Sequence, residues 1–366
     1  MSASPSGSRA PEQAAPTSTS TSAPYRTTPG ERRRPGGGAV RRTRPSPEPV
    51  PAGGHVRNLQ DHRPGHCHRG RMTADLRAAA SFMATHARLL DRRRFELLLG
   101  ETDPAAVLAA VDGYRNPDGG YGWGLEPDLR APESQPGGAL HAFEAFVDAA
   151  PATTPHAARL CDWLLETTLP DGGLPFALPV ADPAGCAPFW TQADPQASTL
   201  QSTAFAAGTA LRLAAHDPAV AAHPWLERAT RYCLDAVEAI GEEPHAIELS
   251  FAIRFLDAAA DTRPQAADLL ERLRPLIPDD GVLPVTGGAE GEAIRPLDIA
   301  PEPGRPARTL YTPETIDAEL RRLAADQQED GGWTVDFGSY SPAAALEWRG
   351  YRTVGAIAVL KQNDRL

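Results

Sequence analysis

Two stretches of this sequence gather side chains able to do chemistry. The first reads Tyr121-Gly122-Trp123-Gly124-Leu125-Glu126-Pro127-Asp128-Leu129-Arg130, with two carboxylates, a guanidinium and aromatic rings close together. In an apolar pocket one carboxyl can be pushed up in pKa while its neighbour stays ionised, so that one site supplies both an acid and a base. Glu126 and Asp128 are the candidate pair. Trp123 could stabilise a cationic intermediate, and Arg130 is either an internal ion-pair partner or a substrate-binding group. The second stretch, Pro188–Gln201, carries Trp190, Gln192, Asp194 and Gln201 just ahead of a helix that Ser198 or Thr199 would cap. Asp194 joins the candidate catalytic acids, and Trp190 and Gln201 the binding groups. A third cluster is Asp336 followed by Glu347-Trp348-Arg349. Glu347 and Arg349 are two apart and do not share a helix face, so each needs another partner or a ligand. Glu347 and Trp348 are candidate substrate contacts.

Metal chemistry finds less support. His245 and Glu248 could share a helix face, but no further ligand clusters with them, which favours core hydrogen bonding. His62, His66, Cys67 and His68 are zinc-type residues without a paired Cys-x-x-Cys or a helix to hold them. No metal or cofactor is expected.

The elements that position these residues recur. Four turns share one chemistry: Asp118-Gly119-Gly120-Tyr121, Asp171-Gly172-Gly173-Leu174, Asp280-Gly281-Val282-Leu283 and Asp330-Gly331-Gly332-Trp333. The spacings of 53, 109 and 50 residues indicate a period near 53 with one degenerate copy, placed at Gly241-Glu242-Glu243-Pro244. Glycine takes positive φ where a helix ends, and aspartate accepts from nearby backbone N–H groups. Charged helices (Pro155–Thr168, Trp225–Ile240, Pro264–Ile277, Pro313–Gln327) alternate with small, apolar ones (Gly138–Ala150, Thr199–Ala215, His245–Ala259, Pro342–Leu360). A long helix over Thr73–Leu99 would complete the set. The irregular segment Gly281–Tyr311 stands where one apolar helix is expected, as a lid or plug.

At Gln327-Gln328-Glu329-Asp330-Gly331-Gly332-Trp333 the turn resembles the Gln-x-x-x-Gly-x-Trp repeat of squalene–hopene and oxidosqualene cyclases. Upstream copies are degenerate, with Arg115 or Thr168 at the glutamine position and Tyr121 or Leu174 at the tryptophan position. The resemblance implies an all-α fold, the α/α toroid also used by protein prenyltransferase β-subunits. That toroid is a barrel of five to six helical hairpins in an inner and an outer ring, with the repeat stapling helices together. The catalytic motifs of that superfamily are not matched. Glu126-Pro127-Asp128 lacks the adjacent second aspartate of Asp-x-Asp-Asp, and Asp279-Asp280 lacks the third acid of Asp-Asp-x-x-Asp. No zinc set surrounds Cys161, Cys186 or Cys233.

Composition divides the chain. Residues 1–71 hold twelve arginines against four acids and are rich in Pro, Ser and Gly, whereas the whole chain carries a net charge of −11. The tail cannot bury enough apolar surface to offset its ordering entropy and is expected to be disordered, or to precede a true start at Met72. Residues 72–366 are expected to form a single acidic domain, which would repel a nucleic-acid backbone. No apolar run reaches membrane-spanning length. Four irregularly spaced cysteines and no secretory signal point to the cytoplasm.

The leading functional expectation is a terpenoid-cyclase-like toroid that binds or transforms a small apolar, isoprenoid-like molecule in its centre. Asp128 or Glu126 would be the acid, and Trp123 and Trp190 the cation-stabilising walls. One alternative is a carbohydrate-active toroid that cleaves a glycosidic bond with paired carboxylates; the other is a non-catalytic repeat module. An aromatic-walled apolar cavity, an open polar groove or a side-chain-filled centre would distinguish the three.

Overall fold

In a computed structural model the described residues are 73–366, and the His62–His68 cluster and Met72 lie outside them. The described residues are all-α. The helices are α1 (Leu76–His86), α2 (Leu89–Leu99), α3 (Pro104–Asp112), α4 (Pro136–Asp148), α5 (Pro155–Thr167), α6 (Pro188–Thr191) and α7 (Leu200–Ala214). There follow α8 (Pro218–Ala221), α9 (Pro224–Glu238), α10 (Ala246–Ala259), α11 (Gln265–Leu273), α12 (Pro296–Ile299), α13 (Pro313–Ala325) and α14 (Pro342–Gln362). Strand is confined to two short antiparallel pairs, β1 (Leu174–Pro175) with β2 (Ser198–Thr199) and β3 (Leu283–Pro284) with β4 (Ala293–Ile294). No described helix is long and apolar enough to cross a membrane.

Five helix starts share one local cause. Asp103-Pro104, Thr154-Pro155, His223-Pro224, Thr312-Pro313 and Ser341-Pro342 each place a capping side chain before a proline at the first helical position. The cap satisfies an orphan N–H, and proline sits where its missing N–H costs nothing. The Asp103-Pro104 start belongs to α3, a helix the periodicity above does not predict.

The Asp-Gly turns repeat in atomic detail. Asp118, Asp171, Asp280 and Asp330 each accept, through Oδ1, the N–H two residues on, at 2.9–3.1 Å. The following glycines, Gly119, Gly172, Gly281 and Gly331, have φ between 74° and 100°. The predicted degenerate turn differs, for Gly241 lacks positive φ and nothing crowds it. Each double-glycine turn docks on another helix: the first two on a later one, the last on α1. A β-carbon at Gly119 would lie 3.0 Å from the Arg159 carbonyl oxygen of α5, and one at Gly172 3.4 Å from that of Arg228 on α9. At Gly331 it would overlap the Ala78 carbonyl of α1. The last turn therefore seats on the first helix. Gln327 secures that seat: its Nε2 donates to the Asp75 carbonyl at 2.9 Å, and its Oε1 accepts the Asp75 N–H at 2.7 Å. Trp333, fully buried, donates Nε1–H to the Leu323 carbonyl at 2.7 Å.

At two of the turns a threonine on the following helix receives the chain as it leaves. Thr203 Oγ1 accepts from Leu174 N–H at 2.8 Å, and Thr353 Oγ1 from Trp333 N–H at 3.1 Å. Thr203→Val should cost about 1–3 kcal/mol, because it strands a buried N–H while conserving volume. Urea unfolding of the variant measures this, and an unchanged midpoint would show that the hydroxyl is dispensable.

Neighbouring helices follow a simple order. α2 lies against α4, α4 against α7, α7 against α10 and α10 against α12. α12 then lies against α13, α13 against α14, and α14 against both α1 and α2. α3, α5, α9 and α11 pack on the sides of these. The 281–311 segment stands between α10 and α13 without a long helix. Asp257 anchors it, accepting the Ala307 N–H at 2.8 Å and the Arg305 guanidinium at 3.2 Å.

One expectation needs correction. The helix foreseen over Thr73–Leu99 is two helices, broken at Ala87 and Arg88, whose backbones are extended. No Gly or Pro marks the break. Arg88 leaves the helix to pair with Asp91 at 2.7 Å and to donate to the Leu125 carbonyl at 2.9 Å. Tertiary pairing outweighs local propensity here.

Candidate functional site

The loop from 121 to 130 is held from three sides. Arg88 grips its middle, Glu126 ties it to α4, and Asp128 and Arg130 tie it to α14. Glu126 Oε2 lies 3.0 Å from His141 Nε2, and its Oε1 accepts the Asp128 N–H at 3.2 Å. Asp128 accepts the Tyr340 N–H at 3.0 Å on one oxygen and the Trp348 indole N–H at 2.7 Å on the other. Arg130 pairs with Glu347 at 2.7 Å. Five of the sequence-predicted residues, Glu126, Asp128, Arg130, Glu347 and Trp348, are thus brought together. Trp190 joins them through Gly137, where a β-carbon would lie 3.3 Å from the indole and 3.5 Å from the Glu126 side chain.

The other three lie apart. Trp123 is 59% exposed, and its indole N–H donates to Asn116 at 2.7 Å. Its φ of 58° is unusual for a bulky residue and costs about 1–2 kcal/mol. Asp194 is exposed and accepts the Gln196 N–H at 2.9 Å, shaping a turn. Gln201 is half-buried at the start of α7. Neither Asp194 nor Gln201 shares a hydrogen bond with Glu126 or Asp128.

His141 is central and was not foreseen. It is buried on α4 with Glu126 on one nitrogen and Glu144 on the other, the latter at 2.9 Å. Burial disfavours its charged form, but the two carboxylates outweigh that and push its pKa up to about 9. Burial likewise works to raise Glu144, yet His141, Arg94 and the Tyr351 hydroxyl bring it down to about 2. Tyr351 donates to Glu144 at 2.7 Å, and Arg94 lies over the Tyr351 ring while pairing with Asp148 at 2.5 Å. Asp128 is raised by burial, which its two N–H donors only partly offset. The signal for this network was a histidine and a glutamate three apart on an otherwise apolar helix.

Aromatic rings cover the acids. Phe176 stacks on Trp190 at 4.4 Å, Phe189 touches both Trp190 and Tyr340, and Trp348 meets Phe337, His141 and Tyr351 edge-on. On the far side of His141, Glu144 opens onto a cavity of about 140 Å³ between α2, α4, α7 and α10. Arg94, Asp148, Arg212, Arg254 and Glu302 share its lining. Arg212 pairs with Asp257 at 3.1 Å and with Glu302. Val147, Ala204, Phe205, Phe255 and Pro301 add apolar surface beside these charges. Among the described residues, no group of three or more His, Cys, Asp or Glu is placed to hold a metal ion.

The chain matches no family model, and no curated protein matches it.

Proposed function

We propose that residues 73–366 form a closed α/α toroid whose centre binds a small polar molecule. α2, α4, α7, α10 and α14 are its inner helices, and the 281–311 segment stands in for a sixth. Support for closure comes from the order of helix neighbours, which returns from α14 to α2, and from the seat of the last turn on α1. Terpenoid cyclases and prenyltransferase β-subunits use the same architecture, but the ligand proposed here is of another kind.

The observation that carries the polar reading is the charged cavity lining contributed by α2, α4, α7 and α10. An apolar guest would have to strip water from the Arg254 guanidinium, unpaired among the described residues, and return no hydrogen bond, at a cost of several kcal/mol. A binding role also fits the acids better than catalysis. Both oxygens of Glu126 and both of Asp128 already accept hydrogen bonds from the protein. Their task in this reading is to fix the loop and, through His141, to hold Glu144 ionised at the cavity wall. Glycosidic cleavage would need a freer pair.

One observation favours a second reading, an isoprenoid-like ligand at the loop. It is the cluster of Phe176, Phe189, Trp190 and Tyr340 beside Glu126, which offers the aromatic surface such a ligand needs.

Native mass spectrometry of the protein from its own host, paired with melting curves, separates the two. The expected result is a co-purified polar metabolite, with stabilisation by small organic acids, amino acids or sugars and none by polyprenols or isoprenoid diphosphates. Stabilisation by isoprenoids alone would overturn the polar reading in favour of the second.

A further inference from the structure

We infer that the central cavity takes a small monocarboxylate, anchored by Arg254. This rests on the polar-ligand reading and names the ligand's chemical class. Arg254 rises from α10 into the cavity lining, with its guanidinium carbon 4.8 Å from the centre of the Phe205 ring. Phe205 is itself braced by Phe251, stacked at 4.9 Å. The other two cations of the lining are committed: Arg94 to Asp148, and Arg212 to Asp257 and Glu302. The acids of the lining are committed too, Glu144 to His141 and Tyr351, Asp148 to Arg94 and Glu302 to Arg212. Among the described residues, Arg254 has no ion pair and no side-chain hydrogen bond. It is a half-buried guanidinium held on an aromatic face with its N–H fork unused.

A planar fork of donors complements a planar carboxylate, which it can bind through two parallel hydrogen bonds. Size sets the rest of the ligand. The cavity, about 140 Å³ and open to solvent on one side, has room for a group about the size of benzene, so the part of the ligand it encloses is a short chain or small ring. Among the described residues, Arg254 is the one cation of the lining without an ion-pair partner, and a single carboxylate on the guest would supply it. Val147, Ala204 and Phe255 add apolar surface to the same lining for the guest's hydrocarbon part.

The test uses the full chain and three probes: butanoate, its neutral counterpart butanamide, and inorganic phosphate. Butanoate at saturation is expected to raise the melting temperature by roughly 2 °C, as a ligand in severalfold excess over its Kd would. Butanamide should leave it unchanged. In Arg254→Met, butanoate affinity by calorimetry should fall at least about tenfold, as loss of a charge-assisted hydrogen bond implies. Arg254→Lys should retain part of it. Equal binding of butanoate and butanamide would overturn the anchor and leave the polar reading standing. Stabilisation by phosphate without butanoate would overturn the carboxylate assignment. Absence of any effect from all three probes would overturn the inference, and the polar reading would then stand or fall on the co-purified ligand. The comparison of butanoate with butanamide needs no variant, so a poorly folded Arg254→Met does not blunt it.

Discussion

Gly331→Ala is expected to destabilise the protein by about 3 kcal/mol, lowering the melting temperature by roughly 6–12 °C. Two effects add. Gly331 has a φ of 95°, which an alanine adopts only at a cost of about 1–2 kcal/mol. The new methyl group would also overlap the Ala78 carbonyl of α1, and overpacking of this kind costs a further 1–3 kcal/mol or so. Gly291 supplies the control. Its φ is 82°, but nothing lies within 4 Å of the added carbon, so Gly291→Ala should show only the first cost. Thermal unfolding of both variants decides the matter. Equal losses would mean that the backbone conformation alone matters and that the turn does not need its seat on α1.

The second large effect concerns pH. His141 has its pKa raised from 6.5 to about 9, so its stabilising contribution is complete below pH 6.5 and disappears as pH rises through 9. The size is about 3 kcal/mol. Glu144 is lowered from 4.5 to about 2, so its contribution is complete above pH 4.5 and is lost as pH falls towards 2. The two groups share one hydrogen bond, and these are the two limbs of one interaction. Urea unfolding should therefore show a plateau between about pH 4.5 and 6.5 and a falling limb from 6.5 to 9. His141→Gln should start less stable and be nearly flat across that alkaline range. A wild-type midpoint that holds constant from pH 6.5 to 9.5 would falsify the assignment of a charged, doubly hydrogen-bonded imidazole.

These expectations show where local chemistry was readable from the residue order. The Asp-Gly turns were legible because their geometry is made within four residues: an aspartate accepts an N–H two positions on, and a glycine takes a φ few others tolerate. The long apolar helices were legible for a similar reason, their faces repeating every three to four residues. The break at Ala87 was not, since its cause is Arg88 reaching a carbonyl in a loop that begins more than thirty residues later. Glu126 and Asp128 could be chosen as carboxylates crowded among aromatics. That their oxygens would be taken up by His141, Trp348 and the Tyr340 backbone depends on packing between α4, α14 and the loop. Asp194 and Gln201 had the right residue types in a long loop, but the fold turns Asp194 outward into a local bend. The charge of the cavity was least visible. Arg94, Arg212 and Arg254 come from three helices, and each looks like an ordinary surface arginine until the helices are set side by side.

The seat of the last turn on α1 has a consequence for how this chain can vary. Open helical arrays lengthen by duplicating a unit, because each unit touches only its neighbours and the ends carry polar caps. Here Gly331 rests on Ala78, and Gln327 closes the backbone of Asp75. The face that a terminal unit would leave bare is already occupied by the first helix. In the closed ring proposed above, a hairpin gained or lost would pull that seam out of register, so the number of units would not be free to drift. Variation is left to the loops and to the side chains that face the centre.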